Sequence, residues 1–422
     1  MRSPAFLTIL SLVTATLSFP SSQLAYLNPH QKTCTIHLLG SKQDDVPNIL
    51  SAFRACNHGG KVIFPENATY WIASRLNPRL YNVDIEWRGA WLFSDNLAYW
   101  RNNSYPITFQ NHAAGFILSG IRIRIDGHNT GSINGNGDLW YTDEAGKTLP
   151  GRPMPFVLWN ISNTRVSNFA IDQPQLWSIN IMNGTNMTFE NITVSVNATQ
   201  APEGENWAQN TDGFDTMDAH NITLQNFTFT GGDDCIAIKP RSYNIRVRDI
   251  TCNGGNGIAI GSLGQYLEDS SVENVLIENA KTLSTRFGAY IKTWMGHLVD
   301  QGDSYESAGQ PRGGGWGVVR NITFRDFDVS GSNRAVVITQ DNGDDEGGVY
   351  EGTSRMEVSG IVFEGYSGVL GSSNEVTISC SEVHPCFDIN FVDWGVRGVD
   401  GDDTPGECRW VAQGGVQGLE GC

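Results

Sequence analysis

A short alternation of apolar and polar residues, centred on Asn, Asp or Gly, recurs along this chain and sets the strongest limit on its fold. It reads RVSNFAI from Arg165, TFENITV from Thr188, TLQNFTF from Thr223 and RVRDITC from Arg246. It returns as LIENAKT from Leu276, TFRDFDV from Thr323 and, more weakly, VFEGYSG from Val362. The central residues are Asn168, Asn191, Asn226, Asp249, Asn279, Asp326 and Gly365, with gaps of 23, 35, 23, 30, 47 and 39 residues. Period-two alternation means strands with one buried face, and a turn residue inside each repeat means two strands meeting at a corner. A basic period in the low twenties, lengthened by insertions, is that of one coil of a parallel β-helix. A propeller needs four strands per unit and longer periods. A sandwich would not repeat one motif so often. The fold expected is an all-β solenoid in which equivalent residues stack about 4.8 Å apart and corner asparagines hydrogen-bond along the stack.

An open solenoid needs capped ends. Gln43 to Cys56 (QDDVPNILSAFRAC) predicts a short helix with Ile49, Leu50 and Phe53 on its apolar face, closing the N-terminal end. The stretch from Cys380, rich in glycine and holding four cysteines, predicts a stapled cap at the other end. The eight cysteines allow 105 pairings. Proximity in the chain suggests 34–56, 235–252, 380–386 and 408–422, and no CxxC pair supports zinc instead.

Residues 1–20 have the form of a secretory signal, with Arg2 ahead of the apolar run Ala5 to Leu17, leaving 21–422 as a single domain. Ten Asn-x-Ser/Thr sequons agree with secretion. A net charge of −17 argues against nucleic acid and anionic membranes as partners. Nothing calls for more than a monomer.

CNGGNGIAIGSLGQ, from Cys252, invites comparison with a dinucleotide-binding loop, but Ile260 stands where that fingerprint needs glycine and no helix pattern follows. In a solenoid it is one rung. NTDGFDT, from Asn210, carries Asp212; GGDDC, from Gly231, carries Asp233 and Asp234; the glycine-rich rung carries Asn256. The steps from 212 to 233 and from 233 to 256 are 21 and 23 residues, near one coil each, so these positions are expected to stack on one face. After an insertion, RFGAYIKTW adds Tyr290 and Lys292 to the same patch. An isolated Asp pair is usually a turn; aspartates in register one coil apart form a cluster. Such a cluster can bind calcium or hydrolyse a glycosidic bond, one crowded carboxylic acid keeping its proton while others activate water.

NTDGFDT, GGDDC, GGNGIAIGS and YIKTW resemble, in order and register, the four signature segments of the pectin-degrading hydrolases, family 28 of the glycoside hydrolases. That resemblance implies a right-handed, single-stranded parallel β-helix and hydrolysis of galacturonosyl linkages with inversion, needing neither metal nor cofactor. Carried over by position, Asp233 is the general acid, and Asp212 and Asp234 hold and deprotonate the water. Asn210 supports them, and Lys292 pairs with a substrate carboxylate. Asn256 stands where most members have histidine, and Tyr290 where most have arginine. Asparagine does not titrate, and tyrosine lacks the bidentate fork.

IAIKPRSYN and IAIGSLGQY look more like the fungal exo-acting members. Lys239 and Arg241 offer a cationic patch for a uronate, and the insertion from Trp294 to Trp316 could wall off one end of the cleft. The expectation is a secreted exo-polygalacturonase acting on pectic polysaccharide. Alternatives are the same cleavage at rhamnogalacturonan ends, a calcium-dependent lyase, and an inactive sugar-binding β-helix.

Overall fold

The computed structural model describes residues 31–302, 305–344, 347–372, 376–401 and 406–422. The expected signal segment, residues 1–20, lies outside the described residues. Lys32–Cys422 forms one compact unit.

It is a right-handed parallel β-helix. Each coil adds strands in parallel register to the coil before: Phe156–Asp172 pairs with Ile179–Ser195, and that strand with Phe214–Thr230. The core is built in columns, one residue per coil. Leu158, Ile181, Thr216, Ile238, Ile260, Ile291, Ile338 and Ile378 follow one another in register. A second column stacks Val166, Phe189, Leu224, Val247, Ile277, Phe324 and Phe363. The rise from coil to coil buries almost every inward side chain against its equivalents above and below, so the repeat pattern alone specifies the core.

All seven predicted corner residues have positive φ, from 50° at Asn226 to 67° at Gly365. Asn, Asp and Gly tolerate that left-handed geometry best. The ladder forms as expected: Asn191 donates to Asn168 at 2.8 Å, Asn226 to Asn191 at 2.6 Å, and Asn279 to Asp249 at 2.6 Å. The corner bends the strand without ending it, so each repeat runs through as one long strand rather than two short ones.

The capping helix is Val46–Ala55, with Val46, Ile49 and Phe53 buried. Leu50 is only partly buried, and Val46 takes its place on the inner face. The disulfides are Cys34–Cys56, Cys235–Cys252, Cys380–Cys386 and Cys408–Cys422, as proximity suggested.

Candidate active site

Register decides which acids meet. Ile179 pairs with Phe214 and Phe214 with Ile236, so the residues two places earlier, Trp177, Asp212 and Asp234, occupy one column. Backbone bonds from Ser178 to the Asp212 carbonyl (2.7 Å) and from Gly213 to the Asp234 carbonyl (2.9 Å) hold this alignment. The spacing argument had stacked Asp212 on Asp233; it is Asp234 that lies beside it. Asp233 sits on the bend just before the strand Asp234–Ile238. Its Oδ2 accepts the Asn210 backbone N–H at 2.7 Å, and its Oδ1 accepts the Asp234 N–H and the Asn256 amide, both at 2.8 Å. One carboxylate oxygen from each of Asp212, Asp233 and Asp234 lies within 4.8 Å of the others. The three acids therefore do converge, through the bend rather than through a single stack.

The glycines of the opening rung make this possible. Gly257 has φ 89°, and a Cβ there would stand 1.8 Å from the Phe287 carbonyl oxygen. A Cβ on Gly261 would meet Lys292 Cγ at 2.7 Å. Its absence leaves the lysine room to reach back two coils and place Nζ 2.6 Å from Asp234 Oδ2. Lys292 is thus already paired within the protein. Asn210 contributes its backbone N–H, while its side-chain oxygen accepts from Thr148 at 2.8 Å. Tyr290 lies beside Lys292, whose Nζ is 5.4 Å from its ring centre, and its hydroxyl points on toward Thr339 and Asn342.

Of the remaining members of the cluster, Asp215 was not singled out from sequence, and Lys239 was expected to seat a uronate. Asp215 faces outward between the buried Phe214 and Thr216, and is itself 3% exposed. Lys239 is 4% exposed; its Nζ lies 3.4 Å from Asp212, 3.9 Å from Asp215 and 4.0 Å from the Trp177 ring centre. It is an internal counter-ion, not the open cationic patch expected. Arg241 is likewise engaged, by Asp218 and Glu268. The signal available was the alternation itself: a strand with Phe214 and Thr216 inside must put Asp215 on the same outer face as Lys239 one coil later.

Four acids share this space with two ammonium groups. Burial pushes Asp212 well above the usual carboxylate range, with Asp215 and Asp233 adding to the rise and Lys239 opposing it. Burial lifts Asp215 to about 7 against the pull of Lys239. Asp233 is raised by burial and by Asp234, opposed by Lys292 and the two backbone N–H groups. The cluster thus retains protons in mildly acidic solution, as an acid catalyst requires. Three convergent carboxylates are also a possible cation site, but Lys239 and Lys292 already neutralise two of them.

An aromatic wall stands one coil N-terminal to Asp212. Trp177 packs edge-on against His112 at 4.2 Å, and His112 stacks on Tyr305 at 5.6 Å. On the other side Phe109 lies 6.3 Å from Trp177 and 5.5 Å from Tyr266. The rings come from four separate segments, tied by Asn111 Nδ2 to the Tyr305 carbonyl (2.8 Å), Gln110 N–H to the Tyr266 hydroxyl (3.0 Å) and Gln110 Nε2 to Gln265 (2.8 Å). Burial, with the cations Lys239 and Arg152 nearby, lowers His112 to about 3, so the wall carries no charge there. The insertion after Trp294 does supply part of a wall, through Tyr305. Trp294 itself is buried beneath Arg312, and Trp316 is exposed.

Residues 102–416 match the family model described as glycosyl hydrolases family 28. A protein of Aspergillus niger assigned as galacturan 1,4-alpha-galacturonidase C is 56% identical, covering 93% of this chain and 94% of its own length. An exopolygalacturonase of Cochliobolus carbonum is 34% identical over 88% of this chain and 82% of that protein. The crystal structure of an endo-xylogalacturonan hydrolase from Aspergillus tubingensis is similar, with a TM-score of 0.76 and 26% identity, over 92% of this chain and 100% of that one.

Proposed function

The chain belongs to family 28 of the glycosyl hydrolases, and on that premise we propose that it is a secreted exo-polygalacturonase releasing single galacturonic acid residues from the ends of pectic chains. Its relatives named as a galacturonidase and an exopolygalacturonase support a galacturonan substrate and attack at chain ends. The observation that carries the exo reading is the aromatic wall. Trp177, in the column directly before Asp212 and packed edge-on against His112, puts aromatic rings about one coil, or 4.8 Å, from the carboxylates. A barrier at that distance supports a site that takes one terminal sugar and stops a continuing chain. In this reading Tyr290 and Lys292, from the strand two coils C-terminal to Asp234, meet the residues that follow.

In this reading Asp233 donates its proton to the glycosidic oxygen as the C1–O bond breaks. A water molecule held by Asp212 and Asp234 attacks C1 and gives up a proton to one of them. Asn256 positions Asp233 through its amide hydrogen bond, which a histidine would otherwise do with a titrating group. Asp215 and Lys239 hold the charge balance beneath. Inversion rests on family membership and is read directly from the anomer first released, by proton NMR. Four disulfides and the sequons support secretion, and all the proposed residues lie on one chain, so a monomer suffices.

The test is incubation with de-esterified polygalacturonate in the presence of a chelator. Monogalacturonate as sole product from the earliest times is expected. A ladder of oligomers would overturn the exo reading, and an unsaturated, ultraviolet-absorbing product would indicate a lyase.

A further inference from the structure

Beside the aromatic wall, and lined by none of Asp212, Asp215, Asp233 and Asp234, lies a cavity of about 690 Å³, within the 300–1,000 Å³ range of small-ligand sites. We infer that it is a second carbohydrate site, binding neutral pyranose units, either methyl-esterified galacturonate or uncharged side-chain sugars.

Three observations point to this ligand. The lining includes the rings of Phe109, Trp159 and Tyr266, together with Met182 and Met217. Aromatic rings in such a lining receive the C–H face of a sugar, and a few polar groups orient it, here Asn183 and Gln310. The electrostatics exclude a uronate. The one cation among the described residues of the lining, Arg241, is held by both Asp218 oxygens, by Glu268 at 3.4 Å and by the Asp269 carbonyl at 2.8 Å. With Asp218 and Glu268 both in the lining, the pocket is net negative and repels a carboxylate. The rim is apolar and open: Leu267 is 61% and Leu298 48% exposed, large aliphatic surface that a soluble protein rarely leaves together without use.

Trp159, Met182 and Met217 continue the outward column that reaches Lys239 in the next coil. The wall residues Phe109 and Tyr266 serve both sides, so the two sites share a partition. A neutral or esterified stretch of pectin held here would keep the enzyme at its polymer while an acidic end is trimmed; this last step rests on the proposed exo activity, whereas binding itself does not.

The experiment is titration calorimetry on the Asp233→Asn protein after enzymatic deglycosylation, because Asn183 at the cavity begins an Asn-Gly-Thr sequon. The probes are a methyl-esterified oligogalacturonate, a neutral galacto-oligosaccharide and an unesterified oligogalacturonate. At least one neutral probe should bind, and Trp159→Ala or Leu267→Glu should weaken it tenfold or more. Leu267→Glu, on an exposed side chain, should leave trigalacturonate hydrolysis by the otherwise unaltered enzyme within twofold. Binding by the esterified probe alone assigns esterified galacturonan, and binding by the neutral probe assigns side chains. Failure of every neutral probe to bind, or affinity unchanged by both substitutions, would overturn the inference, even if hydrolysis is normal. Loss of hydrolysis with binding intact would instead count against the proposed activity.

Discussion

Lys239 is the residue whose removal should disturb the site most informatively. It is buried, 3.4 Å from Asp212 and 3.9 Å from Asp215, and among the described residues no other cation forms an ion pair with either. Lys239→Met keeps much of the side-chain volume and removes the charge. Deleting one partner of a buried ion pair costs about 3–5 kcal/mol because the other is left unpaired. The same contact, an opposite charge within hydrogen-bonding range, lowers a carboxyl pKa by about 1–3 units, which at about 1.4 kcal/mol per unit gives a consistent figure. Taking Asp212 as the member of the water-holding pair that accepts the proton, it must be ionised to do so, and the acid limb of kcat/KM should move up by about 1–3 pH units. That brings it against the alkaline limb set by loss of the Asp233 proton. The profile should narrow, and activity at acidic pH should fall by about 10- to 1,000-fold, the factor those units represent. Urea unfolding at fixed pH measures the stability loss, and pH profiles with trigalacturonate measure the rest. An unmoved acid limb in a folded variant would refute the assignment of Lys239 as the counter-ion of the base.

The other expectations concern the ladder, the acids and the wall. Asn191→Ala loses hydrogen bonds to Asn168 and Asn226 and places alanine at φ 54°. The cost should be about 2–4 kcal/mol, while Asn191→Gly, which accepts that φ, should cost only about 1–2 kcal/mol; equal costs in urea unfolding would dismiss the conformational part. Since the Asp215 carboxyl is raised to about 7 in the folded protein, its contribution to stability is complete below its unfolded value and is lost as pH rises from about 4 through 7. Asp215→Asn should flatten that decline in melting temperature, and an unchanged slope would contradict it. Asn256→Ala should reduce kcat by about tenfold through the lost hydrogen bond with KM little changed, and Asn256→His should add a pH-dependent step near neutrality. Replacing both Trp177 and Tyr305 with alanine should let oligomers appear among the products; monomer alone would mean that the wall does not set the mode of attack.

Much of this architecture was legible in the sequence because a solenoid makes local spacing and spatial neighbourhood nearly the same thing. Asn168, Asn191 and Asn226 could be placed in one ladder by counting residues, and Cys235 met Cys252 because successive coils are adjacent. The same property exposed Asp212, Asp233 and Asp234. Counting failed where the coil length changes by one residue. The bend before Asp234 shifts the register, so Asp234 rather than Asp233 lies beside Asp212, a difference that only the backbone hydrogen bonds decide. Lys239 was misjudged because charge in a sequence says nothing of burial, and here Trp177 covers it. The wall was legible only in part. The insertion that holds Tyr305 was expected to close one end of the cleft, but its partner His112 lies far away in the chain, in a segment outside the repeats, and no spacing links the two.

The most direct test of the site is a crystal structure of the Asp233→Asn protein with digalacturonate bound. The terminal ring should lie between Trp177 and the Asp212–Asp234 pair, with the second ring extending toward Tyr290 and Lys292. A saccharide running past Trp177 on the far side of the wall, or one lying away from these carboxylates, would contradict both the exo mode and the assignment of the catalytic acids.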